Sequence, residues 1–258
     1  MKGKFSRRAM ALGILLGAIL AAAPVFAADF NERFEKTYPV SSNPRVSLSN
    51  VNGSVEISGW DRNEVQVLAT KHANTQEKLA RLQIVVNASK DSVSIKTEMP
   101  SGNNNNPGSV DYEIRVPRTA SLDKVDTVNG SVEVNGIKGN VRISSVNGKV
   151  MGRALTADME LSTVNGVVDC EAAELSGSNR VKLSTVNGSV ELTLPRDASA
   201  RLTANTVNGH ISSNMGLPVK NHFPVGSSLD TTLGSGSARV ELNSVNGGIS
   251  IHGGAKGL

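Results

Sequence analysis

The sequence predicts an all-β, single-domain β-solenoid of the parallel β-helix type, with rungs of about 18–22 residues. Two observations carry that prediction. Val-Asn-Gly occurs eight times, and seven of these copies, with their asparagines at Asn52, Asn129, Asn147, Asn165, Asn187, Asn208 and Asn246, mark the repeat. Around each glycine the apolar residues alternate with polar ones, the period of short strands with one buried face.

The first residues set the compartment. Lys2, Lys4, Arg7 and Arg8 precede an apolar run from Ala9 to Ala23, and Val25 and Ala27 stand at the −3 and −1 positions of a signal-peptidase site. Residues 1–27 read as a secretory signal peptide, because the run is shorter than the ~20 residues a spanning helix needs. Ser6-Arg7-Arg8 hints at twin-arginine export, but the residues after Arg8 match that signal poorly, and the general secretory route is favoured. The chain has 27 Lys+Arg and 23 Asp+Glu, and the signal holds four of the bases and none of the acids. The mature chain, 28–258, is therefore formally neutral, which removes the electrostatic case for nucleic acid or anionic lipid. Cys170 is the single cysteine, so no internal disulfide and no lipoprotein anchor are expected. Expected localisation is periplasmic or extracellular, with no membrane insertion after signal cleavage.

Residues Asp29 to Val40 precede the repeats and would cover the first rung, whose edge needs protection from pairing with other chains. The register of the repeats appears when they are aligned on glycine. Two residues after it stand Val55, Val132, Val150, Val168, Val190, Ile211 and Ile249. Five before it stand Leu48, Val125, Ile143, Leu161, Leu183, Ala204 and Leu242; seven before it the residues are again apolar, with Asp123 the exception. The turn ladder is Asn52-Gly53, Asn129-Gly130, Asn147-Gly148, Asn165-Gly166, Asn187-Gly188, Asn208-Gly209 and Asn246-Gly247, both residues tolerating positive φ. An antiparallel array of hairpins with Asn-Gly turns is the alternative architecture. The solenoid is preferred because it lets each valine turn inward at a corner while the asparagines stack from rung to rung. Successive asparagines are 77, 18, 18, 22, 21 and 38 residues apart. The last gap implies a rung that has lost its motif near Leu233-Gly234, and the first holds an insertion over 60–122.

Within the insertion, segments at Val65, Ile84, Val93 and Tyr112 read as strands. Asn74 to Gln83 reads as a helix, with Asn74 as N-cap, Glu77 three residues later and Leu79 and Leu82 on one face. Ser101 to Ser109, with four consecutive asparagines, reads as a mobile loop. The glycine-rich end, Ile249 to Leu258, offers little cover, which raises the prospect of end-to-end self-association.

The stretch from Asn52 to Asp61, the strand at Val65, and Ile114-Arg115-Val116-Pro117 leading into the glycine-marked rungs resemble the bacterial putative-adhesin family of β-strand-repeat proteins, a domain family without an assigned activity. The resemblance covers nearly all of the mature chain. It implies a surface role and identifies no ligand.

Candidate chemistry is sparse. His72, His210, His222 and His252 share no metal-ligand spacing, and no metal or other cofactor is expected. Glu56, Glu133, Asp169 and Glu191 occupy one outward register, with Glu133 and Asp169 placed to flank Met151 on successive rungs. Such an acidic stripe is what a polysaccharide-acting β-helix enzyme would need; its plainer role is to keep a sheet face soluble, and no repeated Arg or Lys stands beside it. Trp60 and Tyr112 read as core around the insertion. No Gly-x-Ser-x-Gly elbow and no calcium-binding nonapeptide occurs. The leading expectation is a non-catalytic exported envelope protein, an adhesin-like binding or scaffold module whose partner is a glycan or another envelope protein. An envelope-stress sensor and a polysaccharide-acting enzyme are the alternatives.

Overall fold

The computed structural model describes residues 30–99, 108–175, 177–222 and 224–255. The signal segment and nearly all of the asparagine-rich loop lie outside them. In chain order the elements are β1 (Phe30–Pro39), β2 (Arg45–Ser49), β3 (Val55–Trp60), β4 (Glu64–Ala73), α1 (Gln76–Arg81), β5 (Gln83–Ala88), β6 (Ser92–Glu98) and β7 (Ser109–Pro117). There follow β8 (Ser121–Asn129), β9 (Val132–Asn135), β10 (Val141–Asn147), β11 (Val150–Leu155), β12 (Met159–Asn165), β13 (Val168–Ala172), β14 (Arg180–Asn187) and β15 (Val190–Pro195). The last six are β16 (Ala200–Asn208), β17 (Ile211–Ser213), β18 (Lys220–Asn221), β19 (Ser227–Leu233), β20 (Ala238–Asn246) and β21 (Ile249–Ala255).

Each Asn-Gly corner joins a strand of one sheet to a strand of the other. The strands before the corners form one sheet, ordered β18-β19-β16-β20-β14-β12-β10-β8-β2-β6-β5. The strands after them form a second, ordered β1-β4-β7-β3-β9-β11-β13-β15-β21-β17. Successive rungs pair in parallel and in register, as in Leu161↔Leu183 and Val168↔Val190. The parallel solenoid holds, and the hairpin array does not form.

The inward positions are the expected ones. The residues two after and five before each glycine are all buried, and together they make one continuous core between the sheets. Asp123 departs from the pattern because β8 carries an irregularity: Val46 pairs with Leu122, the register then shifts, and buried Leu122 fills the core slot.

Three expectations are corrected. The corner valines do not turn inward: Val128, Val146, Val164, Val186 and Val245 are 39–41% exposed and Val207 is 57% exposed. The inside of the corner is instead filled three residues before the glycine by buried Thr127, Ser145, Thr163, Thr185, Thr206 and Ser244. The reason is chemical. The corner interior presents the glycine carbonyl of the adjacent rung, and a hydroxyl can satisfy it where a valine cannot. Ser145, Thr163 and Thr185 donate to the carbonyls of Gly130, Gly148 and Gly166 at 3.0–3.1 Å.

The rung order is the second correction. No rung with a lost motif stands near Leu233-Gly234. Residues after β17 leave the stack, β19 returns antiparallel to β16, and the final rung, β20 with β21, inserts between β14/β15 and β16/β17. The C-terminal strand β21 is therefore interior, held between β15 and β17. At the other end β6 and β7 likewise lie outside β2 and β3, with β4 and then β1 beyond β7. The first rung is thus covered by β6 and β7 of the insertion and not, as expected, by the segment before the repeats, which as β1 pairs with β4 and forms the outer edge of the sheet.

The helix is the third. It begins later than expected, with Thr75 as its N-cap; the Thr75 hydroxyl accepts from the Lys78 amide at 3.2 Å. Leu79 and Leu82 are buried, as the pattern required.

Candidate functional site

The corner is the most regular chemical feature of the surface. Each asparagine donates its side-chain amide to the side-chain oxygen of the preceding one at 2.8–2.9 Å, from Asn129→Asn52 through Asn147, Asn165, Asn187 and Asn246 to Asn208. At roughly 4.8 Å per rung, seven asparagines span about 29 Å. The ladder follows the spatial order of the rungs, with Asn246 ahead of Asn208. Its first amide, that of Asn52, donates to the Gly108 carbonyl at 3.0 Å.

Positive φ at asparagine does not explain the motif, because Ala154 is the one non-glycine residue with positive φ among the described residues. Glycine is required by the close approach of the rungs. A Cβ at Gly148 or Gly166 would stand 2.1 Å from the carbonyl oxygen of the corner glycine one rung earlier. The corner thus has three parallel columns: hydroxyls inside, asparagine amides on the crest, and valine methyls facing solvent. Six exposed valines in a row form an apolar stripe of a kind that soluble surfaces seldom leave unused.

The column of hydroxyls is interrupted in the first rung. Asn50 stands there, buried, and its amide donates to the carbonyl oxygens of Val110 at 2.9 Å and Gly53 at 3.3 Å. Its side-chain oxygen accepts from Thr97, which is bonded in turn to the Tyr112 hydroxyl at 2.7 Å. Asn50 thereby occupies the acceptor that Thr127 would use, and the Thr127 hydroxyl is left without a partner among the described residues. Tyr112 belongs to the core, and burial pushes its phenol up to about 12. Trp60 is half-buried, donates to the Glu64 carbonyl at 2.8 Å and carries the Arg62 guanidinium 5.1 Å from its ring.

The acidic stripe lies on the outer face of the second sheet. Glu56 pairs with Glu133, Glu133 with Met151, Met151 with Asp169 and Asp169 with Glu191, so Met151 stands between Glu133 and Asp169 as expected. Glu113, on the next strand beyond Glu56, extends the row. A depression of about 430 Å³ is lined by Glu56, Glu113 and Glu133 together with Arg33, Asp111 and Met151; neither Asp169 nor Glu191 lines it. A single rung supplies bases beside the stripe: Arg153 holds Asp169 through two bonds of 2.7 and 2.6 Å, and Lys149 approaches to 3.1 Å. The hydrogen bonds from Arg153 hold the Asp169 carboxyl below the usual carboxylate range.

The histidines are scattered. His72 faces Asp111 at 3.1 Å, His222 bonds Ser228 at 2.8 Å, and no group of three His, Cys, Asp or Glu side chains among the described residues could hold a metal ion. Cys170 is fully buried, with its sulfur 3.7 Å from that of Met159, and burial pushes its thiol up to about 12. The folded state therefore keeps this proton above the pH at which the unfolded chain loses it. Stability should be unaffected below the unfolded thiol's pKa of about 8.5 and fall as pH rises from there toward 12. A Cys170→Ala variant is expected to lose less stability between pH 8 and 10.5 in urea titrations; equal slopes would contradict that assignment.

Fold and corner together define a β-solenoid repeat protein with a stacked-amide edge. The chain belongs to the Toastrack DUF4097 family, whose model matches residues 36–252. Among solved structures, the chain is similar to a "putative cell adhesion protein" from Clostridium sporogenes, at 15% identity and a TM-score of 0.51, over 86% of this chain and 100% of that one. Two further similar structures are a "putative adhesin" from Bacteroides fragilis and a "putative lipid binding protein" from Parabacteroides distasonis. The first has 11% identity and a TM-score of 0.37, covering 85% of this chain and 97% of that one; the second has 13% and 0.28, covering 86% and 96%. A comparison with curated proteins finds no match. No helix among the described residues is long and apolar enough to cross a membrane.

Proposed function

We propose that this chain is an exported, non-catalytic binding module of the cell envelope, adhesin-like, and that its binding edge is the valine–asparagine corner, with an extended glycan as its ligand. The observation that carries the reading is the exposed row from Val128 to Val207 beside the amide ladder. A sugar chain presents C–H faces and hydroxyls in turn. Aliphatic side chains cover the first, and amides bond the second. Each ladder amide from Asn129 to Asn208 donates one of its two N–H groups to its neighbour, which leaves a second N–H for a ligand. Rung periodicity repeats the same pair of groups along the axis, which suits a polymer better than a compact molecule. The basic residues at the start of the chain, the apolar run and the cleavage-site residues support export.

The rival reading, a polysaccharide-acting enzyme, would draw on the acidic stripe. Its weakness is that Asp169 is neutralised by two bases and Glu113 is paired with Arg115 at 2.9 Å.

Co-sedimentation with purified insoluble envelope glycan tests the proposal. The mature protein is expected in the pellet. A triple variant, Val146→Ser, Val164→Ser and Val186→Ser, should remain in the supernatant while melting within a few degrees of the parent. A parent that stays in the supernatant, or a variant that pellets equally, would reject the corner as the binding edge.

A further inference from the structure

Among the described residues the two sheets end in four edge strands, and three of them carry features that discourage pairing with another chain. Strand β1 bears Glu32, Arg33, Glu35 and Lys36 and closes on Pro39. Strand β17 has three residues and β18 has two, one of them Lys220. Charge, proline and shortness are the devices by which natural sheets protect their edges. Strand β5 has none of them. It runs six residues, Gln83-Ile84-Val85-Val86-Asn87-Ala88, without a charge or a proline. It pairs antiparallel with β6 on one side, and among the described residues no strand pairs its other side. The neighbouring helix α1 packs against β4 and β1 rather than over that edge. Ile84 and Val86 reach the core but stay only half-buried, as does Val85 on the other face.

We infer that β5 is a self-association edge, at which a second copy of this chain adds its own β5 antiparallel across a two-fold axis at Val85. The argument for a second copy is the symmetry of the strand about that residue. In an antiparallel pair, facing residues point to the same side of the sheet. Centred on Val85, Ile84 of each copy faces Val86 of the other on the core side. Gln83 faces Asn87, two amides able to bond each other, and Val85 faces Val85. Every facing pair is therefore branched-apolar with branched-apolar or amide with amide, the pairings that stabilise adjacent strands. Beyond the strand, Arg81 would lie near Ser89 and Lys90 near Ala80, so the arrangement juxtaposes no like charges. The interface is isologous and closes at two copies. A six-residue strand pair buries less than a standard interface, so dissociation constants on the order of 10–100 µM are expected.

The association lies at the end of the solenoid opposite the inserted C-terminal rung, and it does not depend on the valine corner. Light scattering after size exclusion of the mature protein, from about 5 to 500 µM, is expected to show a monomer passing to a dimer. Val85→Glu and Val85→Lys each place two like charges face to face across the axis and should weaken association at least tenfold. Lys96 stands opposite Val85 within the sheet, so Val85→Glu gains a partner inside its own chain and its melting temperature reports intact folding. Mixing the two variants should restore a one-to-one dimer through Glu–Lys pairing. A parent that is monomeric throughout, a Val85→Glu variant that folds and still dimerises, or a mixture that stays monomeric would each overturn the inference. Glycan sedimentation by Val85→Glu should be unchanged, which separates this edge from the proposed binding edge.

Discussion

Replacing Gly188 by alanine is expected to cost about 3–4 kcal/mol, measured as the shift in urea midpoint at constant m-value. The added Cβ would stand 1.8 Å from the Gly166 carbonyl oxygen and 2.6 Å from its carbon. Neither atom belongs to a side chain that could swing away, so the two rungs must separate at the corner. That separation strains several bonds at once: the Gly166 amide donates to the Asn187 carbonyl at 3.0 Å, the Gly166 carbonyl accepts from the Thr185 hydroxyl at 3.0 Å, and the Asn187 amide spans to Asn165 at 2.8 Å. Gly248→Ala is the control. It lies one residue past a corner, its nearest neighbour is the His210 carbonyl oxygen at 3.3 Å, and it should cost less than about 1 kcal/mol. Equal losses at both positions would mean that the rungs do not approach as closely as described.

Leu183→Ala should destabilise the protein by about 3 kcal/mol, within the 2–5 kcal/mol span for buried leucines, whereas Val186→Ala, three residues on, should change stability by no more than about 0.5 kcal/mol. Leu183 is fully buried and sits between Leu161 and Leu242 in the stacked sheet, so its loss leaves a cavity bounded by rungs on both sides. Those neighbours are pinned by parallel hydrogen bonding and have little freedom to collapse into it. Val186 has 40% of its surface in solvent. The pair separates the two orientations of the corner: an inward valine would make the second substitution costly as well.

The column of inward residues was legible in the sequence because strand alternation has period two and any other register would expose leucines. Asparagine stacking was legible for a related reason, since identical residues recurring once per rung must meet when rungs align. The direction of the valines was not. Recurrence shows that a position is constrained without showing which side of the backbone it faces. The informative signal lay two residues before the asparagine, where Thr127, Ser145, Thr163, Thr185, Thr206 and Ser244 repeat in six of the seven rungs. A hydroxyl repeated beside a glycine corner marks an interior acceptor. The order of the last two rungs was hidden for a different reason. Leu202 and Val240, Ala204 and Leu242, and Asn208 and Asn246 are chemical equivalents, so β16 and β20 satisfy the same register in either order. The return of β19 along β16 decides between them, and antiparallel pairing at that distance leaves no periodic mark. In the acidic stripe, the adjacency of Glu133, Met151 and Asp169 followed from register. The clamp on Asp169 did not, because Lys149, just before β11, and Arg153, within it, have no counterpart in any other rung.

Asparagine followed by glycine is the dipeptide whose side chain cyclises most readily: the glycine nitrogen attacks the amide carbon, ammonia leaves, and hydrolysis of the ring yields aspartate or isoaspartate. This chain carries eight such sites, Asn135-Gly136 beside the seven ladder corners, and folding shields the corners as a set. At six of the seven corners, Gly209 in the last rung being the exception, the attacking nitrogen already donates to a carbonyl of the next rung, as Gly148 does to Asn165 at 3.0 Å, and the side-chain amides from Asn129 to Asn208 are held by their neighbours. Unfolded molecules enjoy no such shelter, and a carboxylate installed in the row would face an oxygen where a donor is needed. Time spent unfolded should therefore leave a permanent chemical record: peptide mapping after incubation in urea should find conversion at these sites, and after native incubation for the same period almost none. The ageing of this protein becomes a measure of how long its coils have been apart.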